Sequence, residues 1–245
     1  MKDTWGPRLI AIAVVIAAYL LAHAYGTKGK TPDTITVTGL GEKNFSSDLV
    51  VWSANFEEED VDLKTAYAKL ENARKMVKEY LLSKGVKDTE IVFESVNTTV
   101  KKKYIKNDYG NLVLDDNSFD GYKLSQSVVI ESKNVNQIEV LAREVTELLN
   151  KGVKLQSFSP RYYYTKLADL KVELLSSAAD DARIRAEKIA DKSGEKLGGL
   201  KESSMGVFQI TGQNSDEEYS WGGAFNTSSK QKSATITVKS EFYIK

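Results

Sequence analysis

The sequence contains no cysteine and a single histidine, His23. The missing thiols exclude disulfides, cysteine nucleophiles, iron–sulfur clusters and cysteine-ligated zinc. His23 lies inside an apolar N-terminal segment, so the remainder of the chain contains no histidine. This absence excludes Ser-His-Asp and Cys-His catalysis there, and nearly all zinc chemistry. We therefore expect a non-enzymatic protein with no cofactor and no metal site.

An excess of charge of either sign is also missing. Lysine plus arginine and aspartate plus glutamate each number 34, so the formal net charge is zero. Nucleic-acid binders draw much of their affinity from neutralising phosphates, so nucleic acid is not an expected partner. The chain has 245 residues, of which 41% are hydrophobic and 28% charged. This balance is typical of a globular protein, built as one large domain or as two lobes.

A run without acidic or basic residues other than His23 extends from Leu9 to Tyr25. As a helix it would be about 25 Å long, slightly less than the roughly 30 Å hydrocarbon core of a bilayer. One interpretation is a retained transmembrane anchor, whose membrane-facing residues would include Leu9, Ile12, Val15, Ile16, Leu20 and Tyr25. The other is a secretory signal peptide cleaved at Ala22-His23-Ala24. Both interpretations place the remainder of the chain outside the cytoplasm.

Both interpretations give the same segment boundaries. Residues 1–25 form the anchor or signal peptide, and residues 26–33 (GTKGKTPD) form a flexible linker. Residues 34–245 form the body of the protein.

The first part of the body predicts the element order β-α-β-β-α-β. The predicted elements are a strand over Leu49–Phe56, a helix with the apolar stripe Leu63, Ala66, Tyr67, Leu70, Ala73, Val77, Tyr80 and Leu81, a long strand over Glu90–Lys103, a polar loop over Asn107–Ser118, a strand from Tyr122, a helix from Val135 to about Asn150, and a short strand over Val153–Ser159. The sequence LLSKGVK at Leu81–Lys87 returns 67 residues later as LLNKGVK at Leu148–Lys154. Each copy ends a helix with glycine at a left-handed position, which suggests two halves of a ferredoxin-like split unit.

A third helix is predicted from Lys166 to Ser193. Ala178, Ala182, Ala186 and Ala190 recur along it at every fourth position, and such a stripe permits close packing. Strands near Gly206–Thr211 and over Ala234–Ile244 close the chain. The fold class is therefore α+β: an N-terminal apolar helix, then a β-α-β-β-α-β ferredoxin-like split unit, extended by a long Ala-rich third helix and C-terminal antiparallel strands.

Two aromatic segments are candidates for an interface. Tyr162, Tyr163 and Tyr164 would present aromatic rings on both faces of a strand, as a subunit interface or a glycan platform does, although ordinary packing is the alternative. The long polar segment Gly212–Ser229 carries Tyr219, Trp221 and Phe225. It is either disordered or an interface loop that inserts its aromatics into a neighbour.

Three further motifs predict local structure rather than chemistry. Gly39-Leu40-Gly41 lacks the third glycine of a dinucleotide loop and is predicted to be a turn at a strand end. The acidic run Glu57–Asp60 lacks the ligand spacing of a calcium loop, and is predicted to end a strand and to place negative charge at the start of the next helix. Lys101–Tyr104 is either a basic contact or a solvated strand end.

The order of these segments resembles that of the SIMPL-domain family, whose bacterial members include periplasmic immunogenic proteins. The matching motifs are Ile35–Glu42 (ITVTGLGE), Lys84-Gly85-Val86, Gly121-Tyr122, Ala178–Lys188 and Gly194–Gly198. The resemblance covers about residues 33 to 245, and the N-terminus is similar to that of a membrane-tethered branch. It implies an envelope location, an α+β body that assembles into large ring-like homo-oligomers, a link to envelope or oxidative stress, and no established enzymatic activity. The family has no agreed catalytic residues, so none is assigned.

These observations lead to two expectations about function. The first is a membrane-tethered scaffold or interaction protein of the bacterial cell envelope, which self-assembles and meets envelope proteins or glycans. The alternative is a cleaved, soluble periplasmic module that binds a peptide, a glycan or a small ligand. An enzyme that uses carboxylates alone is a third class, but no two acidic residues can be paired from the sequence.

Overall fold

The computed structural model describes residues 5–28, 33–106, 109, 111–115 and 118–245. Its contacts divide the chain into two units. The first unit comprises Met1–Gly41, Leu175–Gly206 and Ile236–Lys245, and the second comprises Glu42–Leu174 and Val207–Thr235. Each unit is therefore assembled from segments that are far apart in the sequence.

The described residues form a mixed α+β structure, as the sequence predicts. The helices are α1 (Trp5–Lys28), α2 (Leu63–Ser83), α3 (Val135–Glu144) and α4 (Leu167–Lys192), with short 3₁₀ helices over Asp88–Glu90 and Val145–Lys151. The strands are β1 (Thr34–Ser46), β2 (Leu49–Asp60), β3 (Ile91–Phe93), β4 (Asn97–Lys101), β5 (Tyr104–Lys106), β6 (Leu112–Leu114), β7 (Gly121–Ser132), β8 (Leu155–Ser157), β9 (Arg161–Tyr163), β10 (Leu197–Met205), β11 (Gln209–Gly212) and β12 (Gln231–Ile244).

The apolar N-terminal segment forms α1. Ile12, Val15, Ile16 and Leu20 are each more than half exposed, whereas the side chains of Leu9 and Tyr25 lie outside the described residues. Within the described ranges, no helix is long and apolar enough to cross a membrane, so the transmembrane helix predicted from the sequence is not found. The helix also continues through Gly26–Lys28, which the sequence assigned to the linker, and linker residues 29–32 are outside the described ranges.

The second unit contains a six-stranded sheet in the order β3-β7-β2-β8. β4 also pairs with β7 and β9 with β2, and all of these pairings are antiparallel. The predicted alternation in β2 is confirmed, because Val50, Trp52, Ala54 and Phe56 are completely buried. Helices α2 and α3 pack against β2, and their apolar stripes complete one core with the buried side chains of β2 and β7.

The long strand predicted over Glu90–Lys103 is interrupted. β3 ends with Phe93 opposite Val128, and β4 begins with Asn97 opposite Ser125. Residues 94–96 therefore lie opposite only residues 126–127 of β7, and one extra residue on one strand is the mark of a β-bulge. The amide of Gln126 fills the break by donating to the carbonyl oxygen of Glu94 at 2.7 Å. The predicted polar loop is also wrong in part, because it contains β6, which pairs with β5 in a separate hairpin.

The repeated Lys-Gly-Val motif ends its two helical segments in the same way, as predicted. Gly85 and Gly152 have φ angles of 85° and 84°. In each copy the backbone N–H of the following valine donates to a carbonyl five residues earlier, Val86 to Leu81 and Val153 to Leu148, both at 3.1 Å. The second helix differs from the prediction in its last turns, which are 3₁₀ rather than α-helical from Val145 onward.

In the first unit, β12 lies between β1 and β10, and α4 packs its alanine stripe against β1. The four alanines of the stripe are completely buried, which confirms the predicted close packing. Gly39 is in the interior of β1, so the prediction of a turn at a strand end is wrong. A Cβ at this position would lie 2.0 Å from the carbonyl oxygen of Ala178 and 2.4 Å from the backbone nitrogen of Ala182. The glycine therefore sets the distance between strand and helix.

We expect Gly39→Ala to lower the free energy of unfolding by about 1–3 kcal/mol or more, because the methyl group would push the backbone of α4 away from β1. Denaturant unfolding of the full chain measures this effect. Gly199→Ala is the matched control, since Gly199 is also in a strand but has open space where its Cβ would stand. Equal stability of the two variants would contradict the proposed close approach.

Candidate interaction loop

Of the three tyrosines predicted either as an interface or as ordinary packing, Tyr162 is buried in the second unit and Tyr163 and Tyr164 are half-buried. Tyr162 is only 8% exposed and belongs to the core, and burial raises the pKa of its hydroxyl. Its backbone N–H donates to the carbonyl of Thr227 at 2.7 Å. The ring of Tyr164 lies 4.7 Å from that of Phe45, and the carbonyl of Tyr163 accepts a hydrogen bond from the backbone of Asp48. This segment therefore packs against nearby segments of the same chain and offers little free aromatic surface.

The other predicted aromatics lie on the surface. Tyr219 and Phe225 are more than half exposed, and Trp221 is fully exposed. They belong to Gly212–Ser229, which we call the aromatic loop, between β11 and β12. Large exposed aromatics are costly in water and frequently anchor protein interfaces.

The tip of the aromatic loop is held by the side-chain amide of Gln209, which is buried in β11. Its Nε2 donates to the carbonyl of Ser220 at 2.7 Å, and its Oε1 accepts from the backbone N–H groups of Ser220 at 3.3 Å and Ala224 at 2.5 Å. One side chain thus closes the turn that carries Trp221.

The returning arm of the loop also bonds to β11 through the backbone. Ile210 donates to the carbonyl of Ala224 at 2.7 Å, and Asn226 donates to the carbonyl of Ile210 at 2.9 Å. Immediately before Ala224, Gly223 has a φ angle of 95°, and a Cβ there would stand 2.9 Å from the carbonyl oxygen of Phe208. Only glycine fits this turn without strain.

A second polar cluster holds the base of the loop. The buried ammonium of Lys232 donates to the backbone carbonyl of Asn226 at 2.6 Å and to its side-chain oxygen at 3.1 Å. The Asn226 amide donates to one carboxylate oxygen of Glu217, and the other accepts from the backbone N–H of Gly212 at 2.9 Å. The Gly212 and Asn226 hydrogen bonds lower the pKa of Glu217. Burial lowers the pKa of Lys232 to about 8.

These contacts give the segment a defined conformation. The aromatic loop is a built turn with polar clusters at its tip and at its base. A fixed loop loses little conformational entropy on binding, which favours its use as an anchor.

The residues that hold the loop, Gln209 and Lys232, were not predicted from the sequence. Lys232 carries the one visible signal, because it continues the inward alternation of Ala234, Ile236 and Val238 in β12. A lysine in phase with buried residues needs polar partners, and such partners must come from elsewhere in the fold. Gln209 gives no comparable signal.

The acidic run at the end of β2 is neutralised by lysines residue by residue. Glu57 pairs with Lys123 at 2.6 Å, Glu58 with Lys154 at 3.6 Å, Glu59 with Lys101 at 2.5 Å, and Asp60 with Lys69 at 2.7 Å. The Lys101 ammonium holds the pKa of Glu59 below its usual value. In the part of the chain that the structure describes, no group of acidic or histidine side chains is placed to hold a metal ion.

Comparison with known proteins identifies a family. The model of the SIMPL family, described as a protein of unknown function (DUF541), matches residues 35–242. The resemblance seen in the sequence is thus confirmed over most of the chain. A search of curated protein sequences found no match to this chain.

We expect the buried Lys232 to impose a pH dependence on stability. In the unfolded chain its pKa is 10.5, whereas in the folded protein it is about 8. Between these values the unfolded chain binds more protons, so the free energy of unfolding contributed by this group rises as the pH increases from about 8 to above 10.

Denaturant unfolding at several pH values measures this contribution. Lys232→Met should lack the rise, and Lys239→Met, which alters an exposed lysine of the same strand, should keep it. Parallel profiles for the native chain and Lys232→Met would show that the burial of the ammonium has no such consequence.

Proposed function

The chain belongs to the SIMPL family, and from this premise we propose that it is a non-enzymatic scaffold of the bacterial cell envelope which self-associates through its aromatic loop. One observation carries the proposal: the indole of Trp221 is fully exposed on a turn that polar side chains hold in place. A rigid aromatic anchor of this kind contributes binding energy when a partner removes it from water.

The absence of an enzymatic role is supported by the side chains available. The chain has no cysteine, and its histidine is in the N-terminal apolar segment. The carboxylates of Glu57 and Glu59 at the end of β2 are each paired with a lysine.

The envelope location is supported by the apolar composition of Leu9–Tyr25, whose described side chains are all exposed. We propose that this segment directs the chain out of the cytoplasm and is then removed at Ala22-His23-Ala24. The body that remains would meet its partners in the periplasm or an equivalent space.

The strand order supports a finer proposal about the fold. The elements β2, α2, β3, β7, α3 and β8 occur in this order in the sequence, with β4, β5 and β6 between β3 and β7, and the sheet order β3-β7-β2-β8 interleaves the two halves. We propose that these elements form a ferredoxin-like split unit, from which the aromatic loop is a separate addition.

A second candidate function uses the same loop. Trp221 and Tyr219 would also suit a glycan, because sugar rings stack on exposed aromatic faces and hydroxyl groups bond to nearby polar side chains. In that case the protein is a periplasmic binding module, and its mass is unaffected by changes in the loop. Loss of glycan binding in Trp221→Ala, with no change in association, would favour this second function.

We expect Trp221→Ala to weaken self-association by at least about tenfold, since interface anchors of this type contribute about 2 kcal/mol or more. Gln209→Ala should weaken it as well, although this buried residue contacts no partner, because it releases the turn. Native mass spectrometry and sedimentation of the full chain in mild detergent measure the effect. Val172→Ala, which shortens an exposed apolar side chain of α4, is the control and should associate normally.

We expect the mature protein to begin near Tyr25, as cleavage after Ala24 would leave it. The intact mass of protein recovered from the envelope fraction tests this directly. A substitution that removes the small residue, Ala24→Leu, should retain the segment and raise the mass accordingly. Recovery of the unaltered chain with Met1 still present would overturn the cleavage step.

A further inference from the structure

An apolar groove opens at one edge of the second unit. It has a volume of about 410 Å³ and is lined by Leu63, Lys64 and Tyr67 of α2, Val96 and Thr98 beside the bulge, and Leu124 of β7. The sequence predicts Leu63 and Tyr67 as core residues on the stripe of α2. They are instead 42% and 48% exposed, so this part of the stripe lacks a covering surface.

The groove follows from the packing of the sheet. Helix α2 packs against β2 and β7, whereas the side chains of β4 are nearly all exposed. The first turns of the helix therefore face a strand that does not complete the core. The floor of the groove is Leu124, which is buried, and its walls are half-exposed apolar side chains.

Lys64 is the one charged residue among the described residues that line the groove. Lys64 is exposed and has no ion pair with any described residue, and the first turn of α2 contains no acidic side chain. Asp62 accepts from the N–H and hydroxyl of Thr65 and keeps its negative charge, but it does not line the groove, whereas Asp60 forms an ion pair with Lys69.

The aromatic loop has the complementary chemistry. Asp216 and Glu218 are exposed beside Tyr219 and Trp221, and neither acidic residue forms an ion pair with the described part of the chain. The neighbouring Glu217 bonds to Gly212 and Asn226 within the loop. The loop thus presents an apolar ring flanked by negative charge, and the groove presents an apolar cavity flanked by positive charge.

We propose that the groove of one copy of the chain binds the aromatic loop of a second copy. Trp221 enters the cavity between Leu63 and Tyr67, and the acidic side chains of the loop lie near Lys64. This inference rests on the proposed self-association and names the surface that receives the loop. Because each copy carries one loop and one groove at different places on its surface, the contact is heterologous, and repeated use of it produces a closed ring or a filament.

The test combines two variants that are each defective in one half of the contact. Trp221→Ala keeps the groove, and Leu63→Glu keeps the loop. Sedimentation of the full chain in mild detergent should show a loss of association of at least about tenfold for each variant alone. An equimolar mixture should form heterodimers and no larger species, because only one productive loop–groove pair remains.

Two further variants control the experiment. Val172→Glu places the same charge on an exposed apolar position of α4 and should associate like the native chain. Lys64→Glu should weaken association, and adding Glu218→Lys should restore it, since the reversed pair attracts again. The unfolding midpoints of all variants show whether each one is folded.

The outcomes separate the two proposals. A native chain that stays monomeric at every concentration overturns both. A native chain that associates, and loses association with Trp221→Ala but not with Leu63→Glu or Lys64→Glu, overturns the groove and leaves self-association through the loop intact. Heterodimers in the mixture, together with rescue by the reversed charge pair, support the groove.

Discussion

The pairing of β2 with β7 is the interaction on which the second unit depends. It runs without a break from Val50 opposite Ser132 to Asp60 opposite Tyr122. Every other strand of this sheet pairs with one of these two strands. The inward side chains of the pair form the floor of the core beneath α2 and α3, and the outward carboxylates of β2 meet lysines from its neighbours. Because burial and charge pairing follow the same register, a shift of one residue would disturb both at once.

Local periodicity accounts for the parts of the fold that could be predicted from the sequence. The alternation in β2, the alanine stripe of α4 and the glycines that end α2 and the 3₁₀ segment each depend on neighbours a few residues away. The bulge before β4 was not predictable in this way, because it arises from the register with β7, which is distant in the sequence. The exposure of Leu63 and Tyr67 has the same origin, since their periodicity is correct but the strand opposite them does not complete the core.

The aromatic loop was likewise predictable from the sequence only in part. The exposed aromatics of the loop were visible as residue types, whereas the side chains that fix their positions were not. Gln209 and Asn226 act through backbone N–H and carbonyl groups that only the folded turn brings within reach. Polar residues of this kind give no periodic signal, and their role depends on the complete satisfaction of a small buried network. The conformation of the loop therefore depends on these supporting side chains rather than on its aromatic residues.

The burial of Lys232 also gives this protein an internal reporter. Amines react with acylating reagents in their uncharged form, and a pKa of about 8 makes that form more abundant here than at an ordinary lysine. The ammonium is nevertheless only 2% exposed beneath the loop, so reagent reaches it when the base of the loop opens. Exposed lysines acquire label directly. The time course of acylation at Lys232, followed by peptide mapping, therefore measures how often the loop leaves its closed position.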